Sequence, residues 1–107
     1  MTNLKDAEPR RRGRITARQV ELDGWRVTHV EFGAGARWRA DAGAGAEWCD
    51  VPHRVVVLSG VLEVVLRTGA SYRLHAGDVV DVPAGHDAST VGPQPCTFLE
   101  LEDSSGS

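Results

Sequence analysis

The chain has 107 residues, of which 41% are hydrophobic and 25% are charged, so it can build one packed domain and is not expected to be disordered. Its formal net charge of −3 argues against a surface that neutralises nucleic-acid phosphates or anionic lipid. Two cysteines are too few for a disulfide scaffold, and no apolar run approaches the roughly 18 residues of a membrane span. We therefore expect a cytoplasmic protein that binds neither nucleic acid nor a membrane.

The two ends of the chain are polar. Residues 1–14 include the basic run Arg10-Arg11-Arg12, which is interpreted as a solvated, disordered arm in preference to a binding arm. Short charge runs at chain ends seldom carry structure. The tail over residues 103–107 is interpreted in the same way. This leaves residues 15–102 as a single domain.

Between these ends, short stretches rich in β-branched residues alternate with glycine-containing turns, and no stretch has the apolar spacing of an amphipathic helix. A glycine at position 69 favours a hairpin between residues 61 and 74. Strands are predicted at residues 15–22, 25–32, 36–39, 46–50, 54–58, 61–67, 71–74, 79–82, 86–91 and 97–101. The spacing predicts an all-β sandwich or small barrel, with a core that includes Val55, Val57, Val80 and Val82.

Part of this pattern resembles the two signature motifs of the cupin superfamily, G-x5-H-x-H-x3,4-E-x6-G and G-x5-P-x-G-x2-H-x3-N. Gly60 matches the last glycine of the first motif, and Gly77, Pro83 and Gly85 match the first three fixed positions of the second. The resemblance implies a small double-stranded β-helix, or jelly-roll barrel, similar to the small single-domain bacterial RmlC-like cupins. It also implies that the functional site lies inside the barrel.

The metal-ligand positions of these motifs are all changed. Where the motifs place two histidines, a glutamate, a third histidine and an asparagine, this sequence has Glu47, Cys49, His53, Ala88 and Gly92. The replacements still include ligand-type side chains. The resemblance therefore supports the scaffold and leaves the ligand set to be argued from the residues.

Strand geometry suggests which of these residues meet. Side chains on a strand alternate between its faces, so Glu47, Cys49 and His53 are predicted to share the inward face. By the same alternation His86 faces the same way as Ala88, one pleat earlier on its strand. A histidine absent from one inward position thus reappears at the next one.

One thiolate and two imidazoles suit a divalent metal ion. We predict that Cys49, His53 and His86 bind it, with zinc favoured by the thiolate and iron(II) as the alternative. Glu47 and His86 are the candidate catalytic residues, with Glu47 as a possible fourth ligand or proton acceptor. The alternative is that the cysteine packs in the core, the histidines are hydrogen-bonded at the barrel mouth and Glu47 is exposed.

Two functions of different classes follow from this site. The first is a metal-dependent enzyme that acts on a small molecule by lyase, isomerase or oxygenase chemistry. The second is a cupin that encloses a small ligand as a sensor or carrier, without a working metal. A homodimer is expected in either case, because the N-terminal strands of cupins often pair across a subunit interface and a small sheet must cover its edges.

Overall fold

Antiparallel strands make up most of the structure. The computed structural model describes residues 1–104, which form nine strands, a 3-10 turn at Leu4–Asp6 and one short helix. The strands are β1 (Arg10–Arg12), β2 (Ile15–Leu22), β3 (Trp25–Phe32), β4 (His53–Ser59), β5 (Val61–Leu66), β6 (Ser71–His75), β7 (Val79–Val82), β8 (His86–Thr90) and β9 (Cys96–Asp103), and the helix is α1 (Trp38–Asp41).

The strands form two sheets. One has the order β1-β2-β3-β9-β4-β7 and the other has the order β6-β5-β8. Every strand pair is antiparallel. The all-β jelly-roll prediction is therefore confirmed, and so is the hairpin between residues 61 and 74, in which β5 pairs with β6 and Gly69 has a φ of +96°.

The core lies between the two sheets and follows from side-chain alternation. Val55 and Val57 on β4 are buried, and so is Val82 on the neighbouring strand β7, as predicted. Val80 is partly buried and packs against the same cluster. Residues on alternate positions of several strands therefore point to one interior, which is also where the site must be sought.

Two of the predicted strands do not form. Residues 36–39 contain the start of the single helical turn α1, and residues 46–50 bend, apart from an isolated bridge at Cys49. The chain turns between them, because Ala44 and Gly45 both have positive φ, at 51° and 97°. Extended side-chain alternation therefore does not hold before Cys49.

The prediction of a disordered arm over residues 1–14 is wrong where β1 forms. Gly13, with a φ of +53°, reverses the chain so that Arg12 pairs with Ile15 on β2. The Arg18 side chain also donates hydrogen bonds to the carbonyl oxygens of Lys5 and Ala7, at 2.9 and 3.0 Å. At the other end Asp103 belongs to β9, whereas residues 105–107 of the predicted tail lie outside the described residues.

Within residues 1–104, no helix is long and apolar enough to cross a membrane.

Candidate metal centre

A cavity of about 300 Å³ lies between the sheets. Its walls are mostly aliphatic and aromatic, and its polar side chains come from β1, β4, β8, β9 and the segment before β4. The polar or sulfur-bearing residues that line it are Arg10, Arg12, Cys49, His53, His86 and Glu100. An apolar cavity with a few converging polar groups is the usual form of a small-molecule site.

Cys49, His53 and His86 converge on one point of this cavity. Each offers one ligand atom, and these three atoms all lie within 4.8 Å of one another. The Cys49 Sγ and His53 Nε2 atoms are 3.6 Å apart. Two ligands of one tetrahedral zinc ion, bound through sulfur and nitrogen, are separated by about 3.5 Å. The structure therefore brings together three of the four predicted site residues.

Backbone hydrogen bonds hold the cysteine against β8. The Cys49 N–H donates to the His86 carbonyl at 2.8 Å, and the N–H groups of Gly85 and His86 donate to the Cys49 carbonyl at 2.8 and 3.2 Å. His53 begins β4 and pairs with Val82 on β7. The predicted common orientation of His86 and Ala88 is confirmed, because both side chains line the cavity.

The two imidazoles are oriented by their outer nitrogens. His86 Nδ1 lies 2.7 Å from the Pro83 carbonyl oxygen, and because that oxygen can only accept, Nδ1 carries the proton. His53 Nδ1 lies 3.0 Å from Glu100 Oε2. This contact likewise engages Nδ1 and leaves the Nε2 atom of His53 free to bind a metal. Such partners fix the tautomer of metal-binding histidines. Both Nε2 atoms are thus available as ligands.

Burial favours the uncharged forms of His86 and Cys49. Burial lowers the pKa of His86 below its usual value, so the ring is neutral near pH 7. Burial also raises the pKa of the Cys49 thiol, and the negative charges of Glu100 and Asp50 raise it further. The thiol therefore retains its proton unless a cation replaces it. These shifts favour a metal ligand over a free thiolate nucleophile at this position.

Glu47 does not join the site, contrary to the prediction. It is exposed and does not line the cavity, since the chain bends at residues 47–48 and the alternation assumed from Cys49 is lost. The carboxylate in the cavity is that of Glu100 on β9, which sequence reasoning missed. Its signal was available in the alternation of β9, where Glu100 is two residues from the buried Phe98.

Asp87 has a structural role beside the site. This residue is 2% exposed, and its side chain accepts hydrogen bonds from Arg37 Nε at 2.6 Å and from the Arg39 backbone N–H at 3.0 Å. These bonds fasten α1 to β8. As a result Trp38, the first residue of α1, forms part of the cavity wall and packs against the core.

The other cysteine, the other two histidines and Asp78 do not line the cavity. Cys96 is a free, fully buried cysteine whose pKa is raised by burial to about 11, so it favours the protonated thiol near pH 7. Asp78 stabilises the turn before β7 by accepting a hydrogen bond from the His75 N–H at 2.7 Å. His75 is exposed, and His29 lies on β3.

Comparisons with known proteins identify the fold. No family model matches this sequence, and the comparison with curated proteins found no match. Among solved structures, the polyketide cyclase RemF from Streptomyces resistomycificus is 20% identical, with a TM-score of 0.69 over 94% of this chain and 76% of that one. A sugar phosphate isomerase of the cupin superfamily from Silicibacter pomeroyi is 21% identical, with a TM-score of 0.67 over 94% and 73%. An RmlC-like cupin from Shewanella frigidimarina is 17% identical, with a TM-score of 0.70 over 99% and 91%.

Proposed function

We propose that this chain, which has the cupin fold, holds a divalent metal ion through Cys49, His53 and His86 and acts on a small molecule in the adjoining cavity. The observation that carries the proposal is the convergence of these three ligand atoms within 4.8 Å. The contacts of the two Nδ1 atoms, His53 with Glu100 and His86 with Pro83, support it, because they leave both Nε2 atoms available to a metal.

Zinc is favoured over iron(II) as the metal. Thiolate and imidazole are both zinc ligands and occur together in catalytic zinc sites, whereas iron(II) oxygenases use two histidines and a carboxylate. Three protein ligands also leave one position open for a substrate or water. A zinc ion in this position would polarise a substrate carbonyl or activate water.

The other residues of the cavity would bind and orient the substrate. Glu100 holds His53 through the 3.0 Å contact and, as a carboxylate that lines the cavity, could accept a proton, the role first predicted for Glu47. His86 is assigned to the metal, because its Nδ1 is committed to Pro83 and its Nε2 would bind the ion. Lyase, isomerase or oxygenase chemistry on a small molecule is the reaction class that we propose. A polyketide cyclase and a sugar phosphate isomerase among the structural neighbours support it.

Elemental analysis of the purified protein tests the proposal directly. We expect about one zinc ion per chain in the wild type and almost none in Cys49→Ala, because the thiolate is the strongest of the three ligands. Cys96→Ala is the matched control: it removes the other buried thiol, which lies outside the cavity lining, and should retain its zinc. Wild-type protein that stays free of metal after zinc loading would contradict the proposal and favour a ligand-binding cupin without a metal.

Removal of the carboxylate behind His53 should weaken the site without destroying it. We expect Glu100→Ala to lower zinc affinity about 10- to 100-fold, because the His53 ring loses the partner that fixes its tautomer. Competition with a chromophoric chelator measures this change. Glu102→Ala, which removes an exposed carboxylate from the same strand, should stay within about twofold of the wild type. Equal losses in the two variants would show a general charge effect instead.

The homodimer and the cytoplasmic location remain part of this proposal as predictions. An edge strand such as β1, which pairs with β2 alone, is a natural place for a second copy to add.

A further inference from the structure

The basic run at the N terminus alternates across β1. Arg10 and Arg12 pair with Ala17 and Ile15 on β2, and all four of these residues line the cavity. Arg11, between them, pairs with Thr16 and does not line it. Arg10 and Arg12 thus lie on the side of β1 that faces the cavity of Cys49, His53 and His86, and Arg11 lies on the opposite side.

These arginines differ from the rest of the chain in having no partner. Within residues 1–104, no side-chain hydrogen bond or ion pair is made by Arg10, Arg11 or Arg12. Every other arginine makes at least one, with the partners Gly35, Lys5 and Ala7, Glu21, Asp87, Asp81, Asp50 and Glu63. The chain has a net charge of −3, yet the unpaired Arg10 and Arg12 place positive charge at one side of the cavity.

The remainder of the cavity is not suited to a highly charged ligand. Apolar side chains, among them Ile15, Val30, Phe32 and Trp38, form its walls. A volume of about 300 Å³ is at the lower end of the range for small-molecule pockets. The space therefore fits a compact, mainly apolar body that carries one charged group.

We infer that Arg10 and Arg12 form an anion subsite that binds a carboxylate or phosphate group of the substrate, and that the substrate is a small anionic molecule with an apolar body. This inference rests on the proposed function in one respect, namely that the cavity is the substrate site. Guanidinium groups bind planar oxyanions through two parallel hydrogen bonds, which gives both affinity and orientation. The oxyanion at β1 then directs the rest of the molecule toward the cysteine–histidine cluster.

Binding of three matched probes tests the subsite. The probes are 3-phenylpropionate, phenyl phosphate and the neutral 3-phenylpropanamide, titrated calorimetrically at one fixed ionic strength, since salt screens exposed charges. We expect at least one anion to bind the wild type more tightly than the amide. The double variant Arg10→Gln/Arg12→Gln should weaken that anion about tenfold or more and change the amide less than about twofold. The anion whose affinity falls more in the double variant identifies the ligand group as a carboxylate or a phosphate.

Two further variants separate the subsite from general charge. Arg11→Gln is the matched control and should change every probe less than about twofold, because its side chain does not line the cavity. Arg10→Lys/Arg12→Lys keeps both charges but not the paired donors, and should give an intermediate affinity. All three positions are exposed, so we expect the variants to melt at the wild-type temperature.

Several results would overturn the inference. These are an anion affinity unaffected by the double variant, an equal loss in Arg11→Gln, and no measurable binding of either anion. Titrations of both zinc-loaded and chelator-treated protein test the anion subsite independently of the metal site. If zinc does not bind but the arginine-dependent preference persists, the metal proposal fails and the anion subsite stands. If zinc binds but anion affinity does not depend on the arginines, the metal proposal stands and the anion subsite fails.

Discussion

His86→Ala should lower the zinc affinity on the order of 1,000-fold. Structural zinc sites bind with about 10–16 kcal/mol, so one ligand of three accounts for roughly 3–5 kcal/mol, and each 1.4 kcal/mol corresponds to a factor of ten. The ring is well prepared for this role. It is buried, its Nδ1 is held by the Pro83 carbonyl, and burial lowers its pKa, so no proton has to be displaced from Nε2 near pH 7.

A matched histidine variant decides whether the effect is local. His75→Ala removes an exposed ring beside Asp78 and should leave the zinc affinity within about twofold of the wild type. Both affinities are measured by chelator competition at pH 7.5, after a thermal melt of the metal-free variants has shown that each folds. Equal affinities of His86→Ala and the wild type would remove His86 from the ligand set, and with it the central geometric argument of the proposed function.

Much of the fold could be predicted from local sequence. The strands β2, β3 and β7 have the predicted bounds, because each is a short stretch with β-branched residues that ends at a turn-forming residue. Side-chain alternation correctly places Val55 and Val57 in the core. It also places His86 on the cavity side of β8, where the strand is regular.

The failures have a common physical cause, which is pairing between distant parts of the chain. Alternation places Glu47 inward only if a strand extends through a segment that bends, and nothing in the local residues signals where regular pairing stops. Local sequence does not predict the contact between Glu100 and His53, because that contact depends on β9 lying beside β4 in the sheet. Local periodicity gives the face of a side chain, but it does not give the strand that lies next to it.

The arginine run shows the same limit. Three consecutive arginines have no apolar alternation, so the sequence favours a solvated arm. Only the turn at Gly13 and the pairing of β1 with β2 direct Arg10 and Arg12 to the cavity. Pairing with β2 thus places at the candidate substrate site a charge run that carries no structural signal of its own.

Gly60→Ala should destabilise the protein by about 4 kcal/mol or more, or prevent folding. Gly60 joins β4 of the larger sheet to β5 of the smaller one, so it forms a corner between the two layers. Its φ is +76°, in the left-handed region, which costs a residue with a Cβ atom about 1–2 kcal/mol. The added Cβ would also overlap the Pro95 carbonyl oxygen and lie 2.7 Å from the Cys96 Cα atom. Both obstacles are backbone atoms, which no side-chain rotation can relieve.

Gly69→Ala isolates the backbone part of this cost. Gly69 has a φ of +96°, and a Cβ there would meet no atom within 4 Å, so we expect a loss of only about 1–2 kcal/mol. Urea unfolding followed by circular dichroism gives both free energies. Soluble, folded Gly69→Ala beside insoluble Gly60→Ala would also agree with the prediction. Equal losses in the two variants would show that the strands yield at the corner, and that Gly60 is needed there only for its positive φ.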